Sequence, residues 1–141
     1  MTDPTDTARQ FVARINQHDL AGLSQLMTPS HRLIDPGGVV VTGREHVQAA
    51  WRGYFRMVPD YWIALDDILT RDDMVVLIGR AGGTYAPDGQ LSPARRWQVP
   101  AAWRAVVKGG AVAEWQVYAD NEPLRAIIIG EQESGSGAGA V

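Results

Sequence analysis

Two segments in the second half of the chain alternate with a period of two, and they carry three tryptophans on one side. Over residues 95–107 the odd positions are Trp97, Val99, Ala101, Trp103, Ala105 and Val107, whereas the even ones include Arg96, Gln98 and Arg104. Over residues 111–120 Ala111, Ala113, Trp115, Val117 and Ala119 alternate with Glu114, Gln116, Tyr118 and Asp120. Successive side chains of a strand point to opposite faces, so this parity places Trp97, Trp103 and Trp115 on one buried face. Large rings interleaved with alanines either interlock as a dry core or leave a tapered cavity. The chain has 5 tryptophans in 141 residues. Rings of that size need a broad interior, a ligand cavity or an interface to cover them.

The period changes near Tyr61. Beyond it, four strands are predicted over residues 61–70, 74–85, 95–107 and 111–120. Their separators are Arg71-Asp72-Asp73, Pro87-Asp88-Gly89 and Lys108-Gly109-Gly110. Short turns between consecutive strands imply an antiparallel meander. Before it, Asp3-Pro4 opens a first helix whose stripe is Ala8, Phe11, Val12 and Ile15. A short second helix carries Leu20, Leu23, Leu26 and Met27, and Thr28-Pro29-Ser30 is read as its end. Two β segments, 31–35 and 39–42, flank Pro36-Gly37-Gly38. Thr42 and Glu45 have capping-box spacing and open a third helix with Val47, Ala50, Trp51, Tyr54, Phe55 and Val58 on one face. Residues 123–129 form a short helix or an extended arm. Residues 131–141, ending in SGSGAGAV, have linker composition and read as a flexible tail. The expected fold class is α+β: three N-terminal helices packed on a curved, mostly antiparallel sheet, as one domain over residues 1–130.

Composition narrows the partners. There is no cysteine, which removes thiol chemistry, disulfides and Cys-based zinc sites. Net charge is −3 with scattered basic residues, so no nucleic-acid partner is expected. No apolar run approaches the ~20 residues of a membrane span. MTDPTDTARQ lacks the basic and apolar regions of a signal peptide, which points to the cytoplasm. His18, His31 and His46 have no ligand spacing, so no metal is expected. The tail glycines lack the strand–turn–helix setting of a dinucleotide site, so no cofactor is expected either.

The order of elements, with INQHD (15–19), IDPGG (34–38), the WRGYF helix (51–55) and the closing EWQVYAD strand (114–120), resembles one superfamily. Ketosteroid isomerase, SnoaL-like polyketide cyclases, limonene epoxide hydrolase and nuclear transport factor 2 share it. The resemblance spans about residues 5 to 128 and implies a cone of curved sheet around an apolar pocket, commonly dimeric through the outer sheet face. It places Asp35 at the isomerase general-base position. The isomerase oxyanion-hole tyrosine falls on Phe11, and its acid on Ala101 or Ala102, so both donors are missing. Of the epoxide hydrolase trio only Arg80 has a counterpart, with Gly82 and Val117 at the carboxylate positions. The cyclase carboxylate after a tryptophan is Gln116 here.

Asp35 is therefore the catalytic candidate, read either as a pocket base or as a turn residue of Asp-Pro-Gly-Gly. Phe11, His31, Trp51, Tyr54, Trp97, Trp103 and Trp115 are the candidate ligand-binding residues, each with a plain core role as the alternative. His18 and His46 read as solvated helix-end residues, and Asp120 as structural. Three functions follow. One is acid–base chemistry on an apolar carbonyl compound. The second is non-catalytic binding of a small apolar molecule, and the third is an interaction module. A homodimer is expected through the even-numbered face, with Val106, Val112 and Tyr118.

Overall fold

The structure, a computed structural model, describes residues 3–133. Asp3 caps α1 (Pro4–Asn16) by accepting the Thr5 N–H at 2.9 Å, and the helix buries Thr7, Ala8, Phe11, Val12 and Ile15. Asp19 caps α2 (Leu20–Gln25) through the Gly22 N–H. β1 (Met27–Ile34) starts where a helix stripe and its proline stop were expected. The strand tolerates Thr28-Pro29-Ser30 because its pairing with the neighbouring strand is interrupted between Met27 and Arg32, so Pro29 owes the ladder no donor. β2 (Val40–Thr42) pairs with Arg32–Ile34.

α3 (Arg44–Met57) is not opened by the expected capping box. Thr42 pairs with Arg32 in the sheet, and the cap position falls on Gly43 at φ 101° with no side-chain cap. β3 (Trp62–Arg71), β4 (Met74–Thr84), β5 (Arg96–Lys108) and β6 (Ala111–Ala119) form the meander. A final helix, α4 (Glu122–Glu133), settles the alternative left open for residues 123–129. Among the described residues it adds a fourth α-helix, at the C-terminal end, to the three N-terminal ones expected, and its last turn enters the segment expected to be tail. Residues 134–141 lie outside the described residues.

The six described strands order β2-β1-β6-β5-β4-β3, with β1 parallel to β6 and every other pair antiparallel. A bulge between Leu65 and Asp67 bends β3 against β4. Trp97, Trp103 and Trp115 are all buried, as the parity requires. Parity breaks once. A register shift between Val106 and Val107 turns Val112 inward, where it is fully buried rather than on the outer face.

The INQHD segment ties helices to sheet. Asn16 makes two hydrogen bonds with the Ile63 backbone: its Nδ2 donates to the carbonyl at 3.0 Å, and its Oδ1 accepts the N–H at 2.8 Å. His18 is not simply solvated. Its ring stacks on Phe55 at 4.2 Å between centroids, and Nε2 lies 2.8 Å from the Tyr61 carbonyl. Further along, the Asp60 carboxylate accepts both the N–H and the hydroxyl of buried Thr84, each at 2.7 Å. These bonds fix both sides of Tyr61.

Candidate functional site

Between the concave sheet face, α3 and α4 lies a cavity of about 580 Å³. Its floor comes from alternate residues of the meander: Ala81, Trp97, Val99, Ala101, Trp103, Val117 and Ala119. The small side chains in this set leave the room that the tryptophans enclose. Trp51, Tyr54 and Met57 supply the α3 wall, with Tyr61 beside them. Leu124 and Ile128 of α4 close the opposite side; both are buried. The β1–β2 turn forms part of the rim.

Four rings make an aromatic corner. Tyr54 and Tyr61 meet edge to face, 5.0 Å between centroids at 86°. Trp51 lies 6.3 Å from Tyr54, and Trp97 lies 6.3 Å from Tyr61. Burial pushes the Tyr54 phenol above its ordinary pKa of 10. Burial also raises Tyr61, with Tyr54 adding to the shift. Both are therefore neutral hydroxyls at physiological pH.

Of the seven residues expected to touch a ligand, Trp51, Tyr54, Trp97 and Trp103 line the cavity. Phe11, His31 and Trp115 do not. They form a separate aromatic layer beneath α1, with Phe11 4.8 Å from Trp115 and 5.9 Å from His31. Period-two parity names the buried face of a strand but not which part of that face a helix covers, and α1 covers this part. Sequence reasoning missed Tyr61, Leu124 and Ile128. Tyr61 adjoins Pro59-Asp60 and carried no strand parity, and α4 was left as a helix or an arm.

Asp35 lines the rim and is exposed. Its Oδ1 accepts the backbone N–H groups of Gly37 and Val39, both at 2.9 Å. That is the turn geometry of Asp-Pro-Gly-Gly. Asn121 and Arg125 also border the cavity, both exposed. Among the described residues no group of acidic or histidine side chains is placed to hold a metal ion. Within the same limits, no helix is long and apolar enough to cross a membrane.

His31 has its own consequence. It is fully buried, its Nδ1 donates to the Val112 carbonyl, 2.6 Å away, and Nε2 has no partner among the described residues. Desolvation lowers its pKa below 6.5, outweighing the opposite pulls of the Val112 bond and Glu114. Below about pH 6.5 the unfolded chain takes up a proton that the folded chain refuses, so stability falls by up to about 1.4 kcal/mol per pH unit until the folded pKa is reached. Urea denaturation at pH 7.5 and 5.5 should show this loss, and His31→Asn should reduce it. An unchanged pH slope in the variant would refute the assignment.

A family model described as a SnoaL-like domain matches residues 8–115. No curated protein matches the sequence significantly. Solved structures share the fold. IdmH of Streptomyces antibioticus, described as a proposed polyketide cyclase, is 23% identical with a TM-score of 0.74, covering 90% of this chain and 99% of that one. A proposed SnoaL-like polyketide cyclase from Shewanella denitrificans is 12% identical at 0.77, covering 90% and 97%. A Catenulispora acidiphila protein with a ketosteroid isomerase-like fold, solved with trimethylamine, is 18% identical at 0.74, covering 85% and 89%.

Proposed function

The chain belongs to the SnoaL-like domain family, and from that premise we propose that it binds a small, largely apolar molecule in the cavity between the sheet, α3 and α4. One observation carries the reading: about 580 Å³ of space remains inside a wall of aromatic and aliphatic side chains. That volume lies within the roughly 300–1,000 Å³ typical of small-molecule sites. Packed interiors leave few voids larger than a water molecule, so core packing alone does not account for the space. The charged residues of the lining, Asp35 and Arg125, sit at the exposed rim, which suits a ligand whose buried part is uncharged. The family likeness to proposed polyketide cyclases agrees with a small-molecule ligand. Isothermal titration with fluorene, a flat tricyclic hydrocarbon, should give saturable one-site binding. Absence of binding by fluorene and comparable apolar tricycles would refute the proposal.

Asp35 enters this reading as the residue that shapes the rim turn. The acid–base alternative would act through its carboxylate at the same rim. Asp35→Asn keeps an acceptor oxygen for the turn, so it retains binding under either reading and loses turnover only under the second.

The homodimer belongs to the same proposal. Ile78, Ala102 and Tyr118 align across β4, β5 and β6, and Ile78 and Tyr118 are 39% and 51% exposed. This row offers an apolar strip for an isologous contact. Light scattering at micromolar concentration should give twice the chain mass, and Tyr118→Lys should halve it. A wild-type monomer would contradict the dimer.

A further inference from the structure

Among the described methionines, Met27 and Met57 are 2% and 8% exposed, whereas Met74 is only partly buried. Met74 opens β4 on the outer sheet face, opposite Val106 of β5 and two outward positions beyond Ile78. Its sulfur faces a cation. The Arg104 Nε–H donates to Sδ at 3.3 Å, while Nη1 of the same guanidinium donates to Glu114 at 3.0 Å. Glu114 also accepts from Arg32 at 3.2 Å. The row Met74–Arg104–Glu114–Arg32 thus crosses β4, β5, β6 and β1 and holds the guanidinium in place. A thioether sulfur is a weak acceptor, so this charged donor is poorly matched by the group it meets.

We propose that Met74 is a reversible modification site for peroxides, with Arg104 as the positioning residue that holds the resulting sulfoxide. The step is an oxygen transfer. A sulfur lone pair attacks one peroxide oxygen, the S–O bond forms and the O–O bond breaks. Sulfur loses two electrons to the peroxide, and with hydrogen peroxide the other oxygen leaves as water, carrying both protons. The new oxygen stands on Sδ, where the Arg104 Nε–H exchanges a weak acceptor for a stronger, charge-assisted one. The same oxidation at Met27 or Met57 places a polar oxygen in the apolar core to which both belong, which is costly. Methionine sulfoxide reductases reverse the step.

Brief treatment with hydrogen peroxide, followed by peptide mapping, should add one oxygen at Met74 about tenfold faster than at Met27 or Met57. In the wild-type protein the Arg104 Nε–H proton resonance should move downfield on oxidation. Treatment with the two epimer-specific reductases should return both the mass and the resonance to their starting values. Protein oxidised at Met74 should keep its Tm within about 1 °C, whereas oxidation of Arg104→Leu should lower its Tm by about 3 °C. Comparing oxidised with reduced protein within each background removes the lost Glu114 bond from the reading. The wild-type resonance needs no variant and decides the matter even where Arg104→Leu does not fold. Oxidation of Met74 no faster than that of the two buried methionines would overturn the site. An unmoved Nε–H resonance, or an equal loss of Tm in both backgrounds, would overturn the role of Arg104.

Discussion

Trp115→Ala is expected to remove about 3–5 kcal/mol of folding stability, the range for deleting a fully buried large aromatic side chain. Trp115 is 0% exposed, lies 4.8 Å from Phe11 and stacks at 6.3 Å on Trp103. Its loss opens a hole between α1 and the sheet that neither can fill without moving, because Phe11 and Ile15 are themselves fully buried. Trp97→Ala should cost less, because one side of that ring already faces open space. It should instead weaken ligand binding. Urea midpoints for the two variants, read with the binding isotherm, separate a core ring from a cavity ring. A loss below about 1 kcal/mol for Trp115→Ala would place it outside the core.

Gly79→Ala is expected to be more damaging still, although it adds a single methyl group. A Cβ at this position would meet the Ala64 carbonyl oxygen at 1.9 Å and the Leu65 Cα at 2.9 Å, both backbone atoms that no rotamer change can move aside. Gly79 pairs with Leu65 where the β3 bulge begins, so the clash falls on the bend of the sheet. The expected cost exceeds about 4 kcal/mol, with loss of soluble protein as the practical outcome. Gly53→Ala is the opposite case. Gly53 lies on the exposed side of α3 with nothing within 4 Å of an added Cβ. That substitution should stabilise by up to about 1 kcal/mol through helix propensity. Thermal melts of the two variants should move in opposite directions. A Gly79→Ala protein with wild-type stability would contradict the described bend.

Much of this fold is legible in the residues. Alternation in β5 and β6 identifies the concave face, because a strand with one buried side cannot slip by one residue without turning every tryptophan outward. The α3 stripe places Trp51 and Tyr54 on the same interior. Two boundaries were hidden because sheet pairing overrides local signals. Thr42 has a capping partner in sequence but pairs with Arg32 instead. Pro29 looks like a helix stop but lies where the β1–β6 ladder is interrupted. The candidate site was only partly legible. Phe11, His31 and Trp115 share the interior with Trp97 and Trp103, yet α1 fills the space over them. Tyr61 is held at the site by the His18 bond to its carbonyl, which no periodicity records. Asp35 shows the limit of motif carry-over. The Asp-Pro-Gly-Gly sequence suits both a pocket base and a self-bonded turn, and the hydrogen bonds to Gly37 and Val39 have turn geometry.

The central claim is that the cavity between the sheet, α3 and α4 is a ligand site, and a methyl NMR titration tests it most directly. With Ile, Leu and Val methyl groups labelled and fluorene added, the account predicts shifts at Val99, Val117, Leu124 and Ile128, which line the cavity. Ile15, Leu23, Val75 and Val112 are fully buried elsewhere and should stay in place. Shifts confined to Ile78 and Leu69 on the exposed surface, or no shifts at saturating fluorene, would contradict the claim.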